Sequence, residues 1–311
     1  MTQLDITGQD AATLETAPTR YIEGNGIRFA YRRLGPATGT PLILLQHFSG
    51  NIDAWDPAVV NALAADRPVI AFDNAGVGRS TGQTPDNVAA MARDAVDFID
   101  LLGLFEVDLL GFSLGGCVAQ QIAAEHGQLV RKLILVGTAP KGGEEHLLAV
   151  LQDAFSQTEA PDPRLPLFFT NSPASQSSGL AFLKRTKVRQ DDRDTDNGSA
   201  VTDPQAKALI TWCATPDPGH AVLRAIRQPT LVVSGSRDHA AREQRLRNVQ
   251  ATQQRSANPL SRFRARLPVS APRDVRQPRP DLPRSAARDC MIQARSDAIR
   301  RTLINESCYR G

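Results

Sequence analysis

One stretch constrains this chain more than any other: Glu106 to Ala124, EVDLLGFSLGGCVAQQIAA. Val107-Asp108-Leu109-Leu110 is a short apolar run of the kind that forms a buried strand. Cys117, Val118, Ile122 and Ala123 then recur at helical spacing. Between them lies Gly111-Phe112-Ser113-Leu114-Gly115, a serine with glycine two residues to either side. A strand that turns into a helix around one residue forces that residue into a strained backbone conformation. A Cβ two positions away would meet the adjacent strand or helix, so glycine is required there. The hydroxyl of Ser113 is then presented at a helix N-terminus, where free N–H groups and the positive end of the dipole favour a developing oxyanion. Strand, sharp turn and helix together are the context that makes G-x-S-x-G a nucleophile elbow. The bland alternative is a Gly-rich turn with an incidental serine, and the upstream pattern described below argues against it.

A chain of 311 residues has room for one large core or two modest ones, which fits one α/β domain carrying an inserted sub-domain. No run of 18 apolar residues exists, so no transmembrane helix is expected. The N-terminal MTQLDITGQDAATLETAPTR is acidic and polar and does not read as a secretory signal. Cys117, Cys213, Cys290 and Cys308 lack metal-ligand spacing, and Cys117 reads as a small buried residue of the elbow helix. A reducing, cytoplasmic setting is therefore expected, with neither membrane nor nucleic acid as partner.

The net charge of +3 conceals a step. Residues 239–311 hold 16 arginines, no lysine and 6 carboxylates, whereas residues 1–238 hold 20 basic and 27 acidic side chains. The first part is a moderately acidic domain. The second is an Arg/Pro/Gln/Ser/Ala mixture with almost no apolar periodicity.

In chain order, residues 1–19 are expected to be flexible. Tyr21 to Leu34 is a predicted hairpin through Gly24-Asn25-Gly26. Pro41 to His47, PLILLQH, is a continuous apolar strand, followed by the turn Phe48-Ser49-Gly50-Asn51 and a helix over Asp53 to Ala65. Pro68 to Asp73 is a second buried strand leading into the loop Asn74-Ala75-Gly76-Val77-Gly78-Arg79-Ser80. That loop lacks the third glycine and acidic partner of a dinucleotide site. Asp86 to Leu102 is amphipathic, and Val130 to Gly137 is the strand after the elbow helix. This alternation predicts βαβ units and a mostly parallel, doubly wound sheet.

Three motifs carry a family resemblance: Gln46-His47-Phe48-Ser49-Gly50, Asp73 to Ser80, and Gly111 to Gly116. With the order of elements they resemble the α/β-hydrolase superfamily over about Tyr21 to Asp238, in its branch of bacterial esterases and non-haem haloperoxidase-like enzymes. The resemblance implies a core of residues 20–137 and 219–238, with residues 138–218 as a helical lid. Helical pieces are predicted there at Glu144 to Phe155, Gly179 to Val188 and Asp203 to Cys213. Leu165-Pro166-Leu167-Phe168-Phe169 and Trp212 are candidates either to line the substrate pocket or to seat the lid. Ala221 to Ile226 is a short helix, and Gln228 to Asp238 is a strand running into a loop.

The resemblance also implies the chemistry. Ser113 would attack a small acyl substrate and form an acyl-enzyme. The backbone N–H groups of Phe48 and Leu114 would hold the oxyanion. Asp238, after the strand that follows the lid, would orient the histidine that takes the serine proton. No cofactor or metal is implied. His47 sits where the family often has glycine and reads as a loop residue, not the base. A serine at the elbow argues against the dehalogenase and epoxide-hydrolase branches, which attack with a carboxylate.

The chain departs from this pattern at one point: the base is missing. After Asp238 the only histidine is His239, adjacent to the acid, and His126, His146 and His220 stand elsewhere. The family's last apolar strand and closing amphipathic helix are also absent from the pattern. Codon degeneracy offers a reason. Arg262 to Pro283, RFRARLPVSAPRDVRQPRPDLP, can be back-translated so that the same bases, read one base later, spell DSGHGSLFQHPETFVNHARTFL. That is a Gly-flanked histidine loop followed by an amphipathic helix. The expectation is a slip of reading frame near Asp238/His239, with the histidine codon straddling Ala265 and Arg266. The alternative is a genuine basic arm. Two functional classes remain open: a serine hydrolase impaired in this chain, or a hydrolase-like protein that binds a small apolar ligand without catalysis.

Overall fold

The computed structural model describes residues 12–143, 162 and 164–234. Asp238, His146, the helix expected over Glu144 to Phe155 and the basic tail lie outside the described residues. The chain opens with the hairpin β1 (Arg20–Gly24) and β2 (Ile27–Leu34). Its turn has two successive left-handed residues, Asn25 at φ 52° and Gly26 at φ 78°, the geometry that matches strand twist in a two-residue hairpin. Then come β3 (Leu42–Leu45), a 3₁₀ turn (Ile52–Ala54), α1 (Pro57–Ala64), β4 (Val69–Phe72), α2 (Val88–Leu101), β5 (Val107–Phe112), α3 (Leu114–Glu125) and β6 (Val130–Val136). An insertion follows, with α4 (Arg164–Phe168), α5 (Pro173–Thr186) and α6 (Ser199–Ala214). The chain re-enters the sheet through α7 (Ala221–Ala225) and β7 (Thr230–Val233).

The seven strands lie in the order β1-β2-β4-β3-β5-β6-β7. β2 runs antiparallel to β4, and every pairing from β4 to β7 is parallel. This is the expected doubly wound sheet. Local chemistry sets the helix starts. Asp56 caps α1 by accepting from Ala58 N at 3.0 Å, with Pro57 in the first helical position. That cap divides the single helix expected over Asp53 to Ala65 into a 3₁₀ turn and α1. Ser172 and Pro173 start α5 earlier than expected by the same device. α6 begins at Ser199 and carries Pro204 in its interior. The missing Pro204 N–H costs one helical bond, which the burial of Val201, Leu209 and Trp212 offsets. Residues 12–19 are also more tightly held than the sequence suggests. Leu14 and Ala17 are buried in the core, and their carbonyls are bound by Arg32 and Arg189 respectively.

Strand periodicity divides the core into two faces. Tyr31, Ile43, Leu45, Phe72, Leu109, Leu133 and Leu135 pack with α2 and α3. Leu34, Leu42, Leu44, Ala71, Leu110, Phe112 and Val136 point the other way, toward α1 and the insertion.

Candidate active site

Ser113 holds φ 51° and ψ −117°, a region that non-glycine residues rarely occupy. Several contacts lock it there. Its N–H donates to Val136 O at 2.9 Å, and its carbonyl accepts from Gly116 N at 2.8 Å and from Thr138 Oγ1 at 2.7 Å. The flanking glycines behave as the motif requires. A Cβ on Gly115 would fall on the Leu45 carbonyl and 2.6 Å from Gln46 O. A Cβ on Gly111 would fall on Gly115 O and 2.6 Å from Gly116 Cα. Ser113 itself is half-buried, and its Oγ has no hydrogen-bond partner among the described residues. Leu114 is the first residue of α3, so its N–H has no intrahelical acceptor.

β3 and β5 are neighbours, with Leu45 opposite Gly111, so the turn after β3 leaves the sheet beside the elbow. In that turn the amides on either side of Phe48 are taken. His47 N donates to Gln46 Oε1 at 2.9 Å, and Ser49 N donates to Gln205 Oε1 at 2.6 Å. The Phe48 N–H between them has no acceptor among the described residues. His47 Nδ1 donates to Phe48 O at 2.7 Å, and its ring stands edge-on to Phe112 and Phe168. Burial pulls the imidazole down to about 4, against the opposing hydrogen bond to Phe48, so it is neutral at physiological pH. Its Nε2 is buried without a partner among the described residues. His47 is thus a support of the turn, as the sequence suggests.

The Gly76/Gly78 loop is wound around a carboxylate. Asp73 accepts from Ile52 N at 2.8 Å and from Arg79 N at 3.1 Å, and a Cβ on Gly78 would lie 2.5 Å from Asp73 Oδ2. The amides that a phosphate would need are used internally. The same loop meets a buried charge cluster. Arg32 pairs with both oxygens of Asp53, at 2.6 and 3.1 Å, and Asp53 Oδ2 accepts from Asp194 N at 2.8 Å. Arg79 lies 3.2 Å from Asp194 and 2.9 Å from Asp192, and Arg189 lies 3.0 Å from Asp192. Desolvation and nearby carboxylates push Asp73 well up and Asp194 to about 6, against the pull of Arg32 and Arg79.

A cleft of about 710 Å³, counting its open mouth, lies on the α1 side of the sheet. His47, Trp55, Leu110, Phe112, Phe168, Phe169 and Phe182 line it, but Ser113, Phe48 and Leu114 do not. Two of the pocket candidates, Phe168 and Phe169, therefore do face a cavity. Trp212 does not: its Nε1 donates to Ala139 O at 3.3 Å, and it seats α6 on the opposite core. Cys117 is an inert thiol, pushed up to about 12 by burial.

The structure thus brings Ser113, Leu114 and Phe48 together at the C-terminal ends of adjacent strands. β7, which leads toward Asp238, reaches the same edge, with Val233 opposite Val136. Sequence reading missed the amide side chains Gln46, Asn197 and Gln205 that brace the turn.

Residues 40–262 match the family described as the alpha/beta hydrolase fold. An alpha/beta hydrolase fold protein from Chitinophaga pinensis is 42% identical, with a TM-score of 0.69, over 75% of this chain and 86% of that one. A thermophilic esterase from Thermogutta terrifontis is 25% identical, with a TM-score of 0.55, over 76% of this chain and 86% of that one. A poly(3-hydroxyalkanoate) depolymerase from Ectopseudomonas oleovorans is 34% identical over 119 residues, 38% of this chain and 41% of that protein. The chain spans about two fifths of the length of the curated relatives it matches.

Proposed function

The chain belongs to the α/β-hydrolase family, and on that premise we propose that it is a serine hydrolase of small carboxylic esters or related acyl substrates, impaired in this chain at its base. The strained backbone of Ser113 between two obligatory glycines, beside the unoccupied N–H groups of Phe48 and Leu114, carries this reading. In the reaction Ser113 Oγ adds to the acyl carbon while a base removes its proton. The carbonyl oxygen becomes an oxyanion between the two N–H groups. The tetrahedral intermediate collapses to an acyl-enzyme and expels the alcohol, and water repeats the cycle. One such donor is worth about 3–4 kcal/mol in the transition state. Asp238 is the proposed acid. Residues 138–218 are the proposed lid. The names of similar proteins, a depolymerase of polyesters and an esterase, support an acyl substrate.

After Asp238 the sequence holds a single histidine, His239, adjacent to the proposed acid. That observation favours a second reading, a non-catalytic protein that keeps a hydrolase pocket for a small apolar ligand. Resequencing the gene across the codons for Val233 to Ala271, with fluorophosphonate labelling of the purified chain, separates the two. A lost or gained base predicts that the corrected protein hydrolyses p-nitrophenyl esters, and that Ser113→Ala abolishes both hydrolysis and labelling. An intact frame with no label at Ser113 would leave only the binding reading.

A further inference from the structure

Taking Phe48 N–H as an oxyanion donor, as proposed above, we infer that Gln205 and Asn197 are positioning residues through which the inserted segment completes the oxyanion turn. The Phe48–Ser49 peptide is gripped at both ends. Its carbonyl accepts from His47 Nδ1 within the turn, but its N–H donates to Gln205 Oε1 at 2.6 Å, from α6. Ser49 is a non-glycine residue at φ 57°, a conformation that needs outside support. That support is again from the insertion: Asn197 Nδ2 donates to Ser49 O at 2.9 Å. The other end of the Asn197 amide is committed, since Oδ1 accepts from Gly78 N at 3.2 Å. A third tie runs from Asn51 Nδ2 to Thr195 O at 3.0 Å.

Gln205 is 2% exposed among Val201, Ala206, Ala208 and Leu209. A polar side chain so placed costs free energy unless it is bonded, and Gln205 Oε1 accepts from the turn. Phe48 N–H belongs to the preceding peptide, and holding the Phe48–Ser49 peptide restrains the backbone torsions at Phe48 that join the two. With the insertion seated, that N–H is left free and aimed. With the insertion displaced, Ser49 loses both partners and the strained turn is free to relax. The inserted segment therefore acts on the chemistry through the turn, without touching the substrate.

The test uses the full chain and two readouts. The first is amide hydrogen exchange at Ser49, with Ile52, whose N–H is held by Asp73, as the internal control. Gln205→Leu removes the acceptor and is expected to speed Ser49 exchange about tenfold with Ile52 unchanged, while Gln205→Glu keeps an acceptor oxygen and restores protection. Should Gln205→Leu fail to fold, Asn197→Ala poses the same question from the carbonyl side. The second readout is the affinity of phenylboronic acid, followed by ¹¹B NMR. Ser113 Oγ bonds to boron, the boron becomes tetrahedral and anionic, and the serine proton passes to solvent, so no base on the protein is required. The Kd is expected to rise about tenfold in Gln205→Leu and to recover in Gln205→Glu. Unchanged Ser49 exchange, or faster exchange with unchanged boronate affinity, overturns the inference. Absence of an adduct with the unmodified chain overturns the serine-hydrolase reading, and with it any catalytic meaning of the clamp, whatever the exchange shows.

Discussion

The two faces of the central sheet are built on different principles. The face under α2 and α3 is dry and aromatic. Phe72 and Phe98 stack at 4.2 Å, and Phe29 and Tyr31 close around Phe98 at 5.5 and 5.7 Å. Its buried strand residues carry no charge, and Arg20 and Arg33 of the same parity are only partly buried in the hairpin. The face toward α1 alternates with it along the same strands, yet it holds Arg32, Asp73 and Asp108 on the parity of Leu34, Ala71 and Leu110. It also holds the cleft lined by Phe168, Phe169 and Phe182. Packing density secures the first face, while ion pairs and amide bonds to the insertion secure much of the second. The elbow is anchored through α3, and the turn that bears Phe48 is braced by amide bonds from the insertion, Gln205 of α6 and Asn197. The nucleophile is thus fixed by sterics and its proposed oxyanion donor by polar contacts.

The sharpest test of this contrast is a truncation on the dry face. Phe98→Ala is expected to cost about 3–5 kcal/mol, because a fully buried ring leaves a cavity that its close-packed neighbours cannot fill. Urea unfolding at pH 7 measures it. The matching change on the α1 face is Phe182→Ala. Phe182 is 6% exposed and contacts Phe168 and Phe169, but it borders a cleft that already exists. Its removal enlarges that space instead of opening a new one, and a cost of about 1–2 kcal/mol is expected. Equal costs at the two sites would erase the distinction between the faces.

The same contrast explains how much was legible in the sequence. Apolar periodicity gave the strands, since Leu42 to Leu45 and Val69 to Phe72 are buried on both faces and have no other reading. The elbow was legible because its geometry admits few residue types: only glycine fits at Gly111 and Gly115. The supports of the turn were not legible. Ser49 and Gln205 lie 156 positions apart, and nothing local ties an amide in α6 to a turn after β3. The burial of Arg32 was equally hidden, because an arginine in an alternating hairpin strand reads as solvated until Asp53 is placed against it. The split of the helix near Asp56 was present in the sequence as Asp56-Pro57, a cap and first-turn pair obscured by the apolar residues on either side. What escaped was the long-range polar chemistry of the α1 face.

That chemistry makes one face sensitive to pH. The groups that meet Asp194 are Arg32 from β2, Asp53 from the 3₁₀ turn, Asp73 at the end of β4, Arg79 from the glycine loop, and Asp192 with Arg189 from the insertion. Four carboxyl groups face three guanidinium groups, so one carboxyl is in excess. Burial and the facing Asp53 lift Asp194, and among the described residues neither of its oxygens accepts a well-formed hydrogen bond. Its folded value of about 6 lies above the ordinary 3.8. Its contribution to stability is therefore full below about pH 4 and is lost as the pH rises through 6. Asp194→Asn keeps the neutral form at every pH. It is expected to leave stability unchanged near pH 4 and to raise it by about 1 kcal/mol at pH 8, the value being moderated by solvent around the half-exposed Arg79. Thermal unfolding at pH 4, 6 and 8 reads this directly. A loss of stability at pH 8 would mean that the ionised Asp194 pairs with Arg79 strongly enough to repay its burial. The α1 face would then be held by charge outright, and its excess carboxylate would be a clamp on the insertion instead of a strain within it.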